Sequence, residues 1–190
     1  LRPGTAWVSR TELRTDRLIL RRWQERDLEP WAAVNADPEV REHLGEPLTR
    51  DQSDASVARF RDEFDLRGYG WWAVEERDTG DFVGSAGLDR VEDGLPFSGT
   101  EIGWRLARPA WGRGYATEAA LAVLAYGFDT LALPEILAVA TATNIRSQAV
   151  MRRIGMTRDP EGDFDDPRAP EGPLRPNVLY RIADGAADRD

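Results

Sequence analysis

Glycines at positions 112 and 114 stand between an apolar strand and an apolar helix, and no other residues of this chain are so well spaced for chemistry. Ile102, Trp104 and Leu106 alternate as in a half-buried strand, Pro109 ends it, and helical apolar spacing runs from Ala116 to Phe128. Strand, glycine turn and helix N-terminus together make an anion site. Unpaired backbone N–H groups and the helix dipole face whatever rests on the turn, and glycine lets it come close. A phosphate-bearing ligand is the natural occupant. A dinucleotide fingerprint needs a third glycine where Thr117 stands, and an acidic residue ending the next strand, which runs instead into Ala142-Thr143-Asn144. A Walker loop needs a lysine, and the chain has none. A tight strand-to-helix connection without a ligand is the plainer alternative.

Trp111-Gly112-Arg113-Gly114-Tyr115-Ala116 resembles, at every place but the first, the Gln/Arg-x-x-Gly-x-Gly/Ala pyrophosphate loop of the acyl-CoA-dependent N-acyltransferases, the GNAT superfamily. Arg14-Thr15-Asp16-Arg17-Leu18-Ile19-Leu20-Arg21 resembles the opening strand of its Rim-type branch, the ribosomal-protein N-terminal acetyltransferases. Asn144-Ile145-Arg146-Ser147, followed by Arg153-Ile154-Gly155-Met156, is similar to the family's Asn-x-x-Ser/Ala helix closed by Gly-Phe. The three segments keep the family's order, and the resemblance covers Thr15 to Ile182.

The resemblance implies an α/β GNAT fold: one mixed, mostly antiparallel sheet flanked by helices on both faces, its central strands splayed to hold acyl-CoA. It implies transfer of an acetyl group from acetyl-CoA to a primary amine by direct attack in a ternary complex. The pyrophosphate would rest on Gly112, Arg113, Gly114, Tyr115 and Ala116, beside Trp111. The pantetheine would run beside the strand Ile102 to Leu106, touching Trp104 and Leu106, with Asn144 and Ser147 on its other side. Glu101 is the expected base, because desolvation at a strand can raise a glutamate toward neutrality. Ser147 is the expected hydrogen-bond donor to the departing sulfur. Met151 occupies the place where many members carry a tyrosine acid, and Tyr180 is a more distant choice. Each residue also has a plainer role: Asn144 and Ser147 as helix caps, Glu101 as a surface carboxylate bridging to Arg105. A non-catalytic acyl-CoA-binding module is the alternative function.

Composition narrows the chemistry. With no cysteine, thiolate metal sites and a cysteine acyl-enzyme are closed, and with no lysine so are Schiff-base mechanisms. No metal is expected. The single histidine, His43, lies among loop-like residues and reads as a surface side chain. A net charge of −9 argues against nucleic acid as a partner. No run approaches the roughly 18 apolar residues of a membrane span, and no leader pattern precedes the domain, so a cytoplasmic protein is expected. The acceptor reads as an amine, either a protein N-terminus or a cationic small molecule, with a homodimer admissible. Asp159 to Pro176 supplies the argument for positive charge, as an acidic, proline-rich connection bordering the acceptor side.

The elements that must position these residues follow from pattern. Residues 1–13 read as a flexible arm, 14–183 as the N-acetyltransferase domain and 184–190 as a polar tail. Strands are predicted at Leu18–Leu20, Gly70–Glu75, Asp81–Leu88, Thr100–Leu106, Ile136–Thr141 and Val178–Ile182. Helices are predicted at Asp27–Ala36, at Asp51–Leu66 behind a Thr49 cap, at Ala116–Phe128 and at Ser147–Ile154. Of the adjacent Trp71 and Trp72, which must face opposite sides of the sheet, at least one is expected in the core.

Overall fold

A computed structural model describes residues 12–184. Strands β1 (Leu13–Arg14) and β2 (Leu18–Arg21) lead through a tight turn at Glu25–Asp27 to helices α1 (Leu28–Ala36), α2 (Pro38–Arg41) and α3 (Arg50–Arg67). An antiparallel meander follows: β3 (Trp71–Glu76), β4 (Phe82–Arg90) and β5 (Thr100–Leu106). The chain then alternates through α4 (Tyr115–Ala125), β6 (Glu135–Thr141), α5 (Ile145–Arg153), β7 (Thr157–Asp165) and β8 (Pro176–Ala183).

The strands make one eight-stranded sheet in the order β1-β2-β3-β4-β5-β6-β8-β7. Every neighbouring pair is antiparallel except β5 and β6, which are parallel and share a single register pair, Glu101 with Leu137. This is the mixed, mostly antiparallel sheet that the resemblance implied.

Each face of the sheet has its own core. Leu20, Trp72, Leu88, Ile102, Leu106 and Ile136 pack with Tyr115, Ala119 and Val123 of the α4 segment. Trp23, Trp31, Val34, Val57 and Phe60 fill the opposite face beneath α1 and α3. Strand alternation divides the tryptophan pair accordingly: Trp72 is fully buried on the α4 face, and Trp71 is half-buried against the α3 face. Thr49 caps α3 as predicted, accepting from the Gln52 amide while the Gln52 side chain accepts from the Thr49 amide. Gly68, at φ +78°, ends that helix in the left-handed conformation.

Several expectations are corrected. Leu13, expected in a flexible arm, pairs with Leu20 as part of β1; the rest of that arm through residue 11 lies outside the described residues, as does the tail from residue 185. The α4 segment stops being α-helical at Ala125 and finishes in a π turn over Tyr126–Thr130. The acidic segment expected as a connection is half strand. Thr157–Asp165 forms edge strand β7, with a register shift between Asp159 and Phe164 that accommodates Pro160. An edge strand exposes one row of backbone to water, so polar residues and proline are tolerated there.

Candidate active site

The single register pair between β5 and β6 creates the site. Beyond Glu101 and Leu137 the two strands part, and a cavity of about 1140 Å³ opens beside the gap, bordered by Trp104, Leu106, Gly112, Tyr115, Asn144 and Ser147. Past the last rung, the β6-facing edge of β5 has no ladder partner.

The glycine turn forms one end of this cavity. Gly112 and Gly114 have φ values of +71° and +79°, which side-chain-bearing residues rarely adopt. The first α4 hydrogen bond runs from the Glu118 amide to the Gly114 carbonyl, so the amides of Tyr115, Ala116 and Thr117 have no partner within the helix. Trp111 anchors the turn by donating from Nε1 to the Leu106 carbonyl at 2.9 Å. The Arg146 guanidinium of α5 lies over its ring, 4.6 Å from the centroid.

Every cofactor-binding residue expected from sequence borders the cavity except Arg113. Its guanidinium is drawn away to Glu76 Oε1 at 2.8 Å and stacks on Tyr115 at 4.5 Å. Tyr115 donates to the same oxygen at 2.5 Å, and this bond, more than Arg113, holds the Glu76 carboxyl below its ordinary range. The cavity arginine on this side is Arg17, which donates to the Arg113 carbonyl at 2.9 Å, pairs with Glu118 at 2.6 Å and stacks on Tyr115 at 4.7 Å. Arg17 was visible in the opening motif, but its distance of 96 residues from Arg113 hid its role. Arg14, Arg17, Arg105, Arg146 and Arg153 border the cavity against Asp16, Glu39 and Glu118, a cationic lining in a protein of net charge −9.

Asn144 accepts from the Ser147 amide at 3.1 Å and so caps α5, as its plainer reading required, while also bordering the cavity. Ser147 borders the cavity as well, and its hydroxyl has no hydrogen-bond partner among the described residues. Met151 is buried in the core with 2% exposure. Tyr180 is equally buried, accepting from Arg152 at 3.0 Å; neither residue borders the cavity.

Glu101 lies at the rung itself and not on the cavity wall. Its side chain is on the sheet face opposite Ile102, Trp104 and Leu106, across from Asp89 on β4. Burial pushes its carboxyl up to about 7, the Asp89 charge adds to this, and the Val139 amide opposes it. Such a carboxyl changes charge near neutrality, as a general base should. Gly103 follows on the same face, where a Cβ would overlap the Trp71 ring. Arg105 comes next, donating to Asn35 Oδ1 at 2.6 Å with its guanidinium 5.3 Å from the Trp31 ring.

His43 departs from its expected surface position. Helix α2 carries the 37–48 segment across the cleft, leaving the imidazole 19% exposed on the cavity wall, with Nδ1 at 3.4 Å from Thr141 Oγ1 and 3.3 Å from Thr143 Oγ1.

Among the described residues, no group of histidine and carboxylate side chains could hold a metal ion, and no helix is long and apolar enough to cross a membrane.

Comparison with known proteins agrees with this geometry. A protein from Bacillus subtilis, YkkB, is 34% identical over 154 residues, covering 78% of this chain and 86% of its own. The N-acetyltransferase YoaA of the same organism is 28% identical over 149 residues, covering 77% and 83%. The crystal structure of an acetyltransferase from Agrobacterium tumefaciens superposes with a TM-score of 0.76 at 28% identity, covering 96% of this chain and all of that one. Residues 17–157 match the family model of the acetyltransferase (GNAT) domain, and with a splayed parallel pair, a glycine turn at a helix start and a cationic cleft, the chain belongs to the GNAT family of acetyltransferases.

Proposed function

We propose that this enzyme transfers acetyl from acetyl-CoA to a primary amine by direct attack, with Glu101 as base. One observation carries the reading: a carboxyl titrating near neutrality sits at the rung where β5 and β6 separate, next to a cleft of the right chemistry for acyl-CoA. The free amides at the start of α4, with Arg17 nearby, suit a pyrophosphate. The unpaired edge of β5 at Trp104–Leu106 suits the amides of a pantetheine arm.

In this reading the acceptor enters on the Glu101 face. Its nitrogen forms a bond to the thioester carbonyl carbon as the carbon–sulfur bond breaks. One ammonium proton goes to the Glu101 carboxylate before attack, directly or through one water, and the nitrogen loses a second to solvent as the amide forms. The Ser147 hydroxyl donates a hydrogen bond to the departing sulfur, which takes its proton from solvent. The chain mainly supplies position and electrostatics, since the donor carries the activated group.

Met151, at the place of the usual tyrosine acid, is the feature that favours a non-catalytic module. Because Met151 is packed in the core, the missing tyrosine leaves no gap in the cavity wall. The Rim-type opening segment and the acetyltransferases named among the relatives favour an amine acceptor. The case for a cationic acceptor is weakened, because three of its carboxylates are engaged: Asp159 with Arg181, Asp163 with Arg158, and Asp166 with Arg168. Release of free CoA from acetyl-CoA across a panel of amines tests the reading. Amine-dependent release supports transfer, and binding of acetyl-CoA without release under any amine returns the chain to a binding module.

A further inference from the structure

Arginines that reach the interior of this protein, buried Arg21 and Arg41 and half-buried Arg105, fall into two groups. Arg21, 7% exposed, is matched to carboxylates: it holds Asp27 through two bonds of 2.7 and 2.9 Å, and Glu75 at 2.8 Å. Arg105 is not matched. No carboxylate lies within ion-pair distance of it among the described residues, and its only hydrogen bond is from Nη1 to Asn35. Its Nε is buried with no partner. Arg41, 8% exposed, is likewise without a carboxylate; it donates to the carbonyls of Leu44 and Glu46. Burial, together with the charges of Arg41 and Arg59, brings the Arg105 guanidinium down to about 10, still cationic at any working pH.

A desolvated guanidinium without a counter-ion is costly, and folds normally supply the partner, as this one does at Arg21. Arg105 also borders the cavity, on the face that carries Glu101, two residues beyond Gly103 and four beyond Glu101. At roughly 3.3 Å per residue it stands about 7 Å along the strand from Gly103 and about 13 Å from Glu101. Of its fork, Nη1 is taken by Asn35 and Nε is sealed from solvent, which leaves Nη2 to donate to a carboxylate oxygen.

We infer that Arg105 is a carboxylate-binding residue for the acceptor, so that the preferred substrate is an amine bearing a carboxylate a few bonds from its nitrogen, such as an amino acid. This rests on the acyl-transfer reading above and adds the substrate class. The acceptor's carboxylate completes the ion pair that the chain leaves open, and its amine points back along β5 toward Glu101.

The test compares matched amines that differ by the carboxylate alone: L-phenylalanine against phenethylamine, L-arginine against agmatine, and L-lysine against cadaverine. For at least one pair, kcat/KM should favour the carboxylate-bearing member by about 10–100-fold, the worth of a charge-assisted hydrogen-bonded pair. In Arg105→Met that preference should collapse to within about threefold, through KM, because the pair is gone while the apolar stem remains. The thermal midpoint of free Arg105→Met should fall somewhat, because the buried Asn35 oxygen loses its donor, so the role is read from the carboxylate preference and not from stability. Should Arg105→Met fail to fold, Arg105→Lys, which keeps charge but not the fork, should lose most of the preference.

Equal rates within every pair in the wild type, or equal losses on both members in the variant, would overturn the inference. If acetyl-CoA raises the midpoint but no amine is acetylated, transfer itself fails. The carboxylate site is then decided by binding, with N-acetyl-L-phenylalanine against N-acetylphenethylamine in the presence of CoA. A larger midpoint rise for the carboxylate ligand, lost in Arg105→Met, supports the site, and identical rises dismiss it.

Discussion

Arg146 of α5 lies over Trp111 of the glycine turn, 4.6 Å from ring centroid to guanidinium carbon, tying together two walls of the cleft. Trp111 stands where the family loop usually carries Gln or Arg, and the cation beside it is Arg146 of α5. An exposed cation–π contact contributes about 0.5–1 kcal/mol, so Trp111→Ala and Arg146→Ala should each weaken acetyl-CoA binding by roughly 2–5-fold. The double variant should be no weaker than the worse single one, because each removes the same contact. Calorimetric titration of the four proteins checks this, and full additivity would show that the two residues act separately.

Gly114 tests the anion site. At φ +79° any side chain strains the turn, so the control must share that strain. Gly114→Asn tolerates the left-handed conformation and should keep most of the rise in thermal midpoint given by acetyl-CoA, whereas Gly114→Asp should lose it through charge repulsion. An equal rise in both variants would move the pyrophosphate elsewhere.

The raised Glu101 carboxyl has consequences for both rate and stability. With a pKa of about 7, kcat should climb as pH rises through neutrality, and Glu101→Gln should remove that limb and lower kcat by about 10²–10⁴-fold. For stability the sign is opposite to that of a salt-bridged acid. The folded state holds the proton up to about 7 while the unfolded state releases it near 4.5, so stability is lost as pH rises across that window. The loss is about 3 kcal/mol in the wild type and absent from the glutamine variant. Urea titrations of both proteins between pH 4 and 8 should therefore diverge upward in pH, with Glu101→Gln the more stable at pH 8. Parallel curves would show that Glu101 is ordinarily solvated.

Ser147 has an unoccupied hydroxyl on the cavity wall, and the Asn144 cap depends only on its backbone amide. Ser147→Ala should leave the thermal midpoint unchanged and slow the chemical step about tenfold, the effect of one lost hydrogen bond. Pre-steady-state acetyl transfer separates that step from product release. An unaltered chemical step would leave Ser147 without a role in turnover.

Local signals carried most of the fold. The strand, glycine turn and helix from Thr100 to Ala125 announce themselves through period and punctuation, and Thr49 with Gln52 spells out a helix start within four residues. Edge strand β7 did not, because with Asp159, Pro160, Glu161 and Asp163 it lacks alternating apolar residues, and its pairing comes from β8 across the sheet. The same divide separates the site residues. Those on the glycine turn were legible because a short segment suffices to make them. Arg17, His43 and Arg105 take their roles from partners 96, 98 and 70 residues away in sequence, at Arg113, Thr141 and Asn35, and neither periodicity nor spacing reports such distances.

The lone rung between Glu101 and Leu137 makes this sheet a strand short on purpose. Past that rung the facing edges of β5 and β6 have no ladder partner among the described residues. A substrate arm with amide groups would then serve as a temporary ninth strand. In that case the amides of Trp104 and Leu106, which face away from β4, should exchange their protons with solvent readily in the empty enzyme and slow sharply once the arm is seated, leaving the rest of the sheet unchanged. An exposed edge of this kind would invite a second chain, were it not sunk between the glycine turn and α5, where a slender acyl carrier can enter and another sheet cannot.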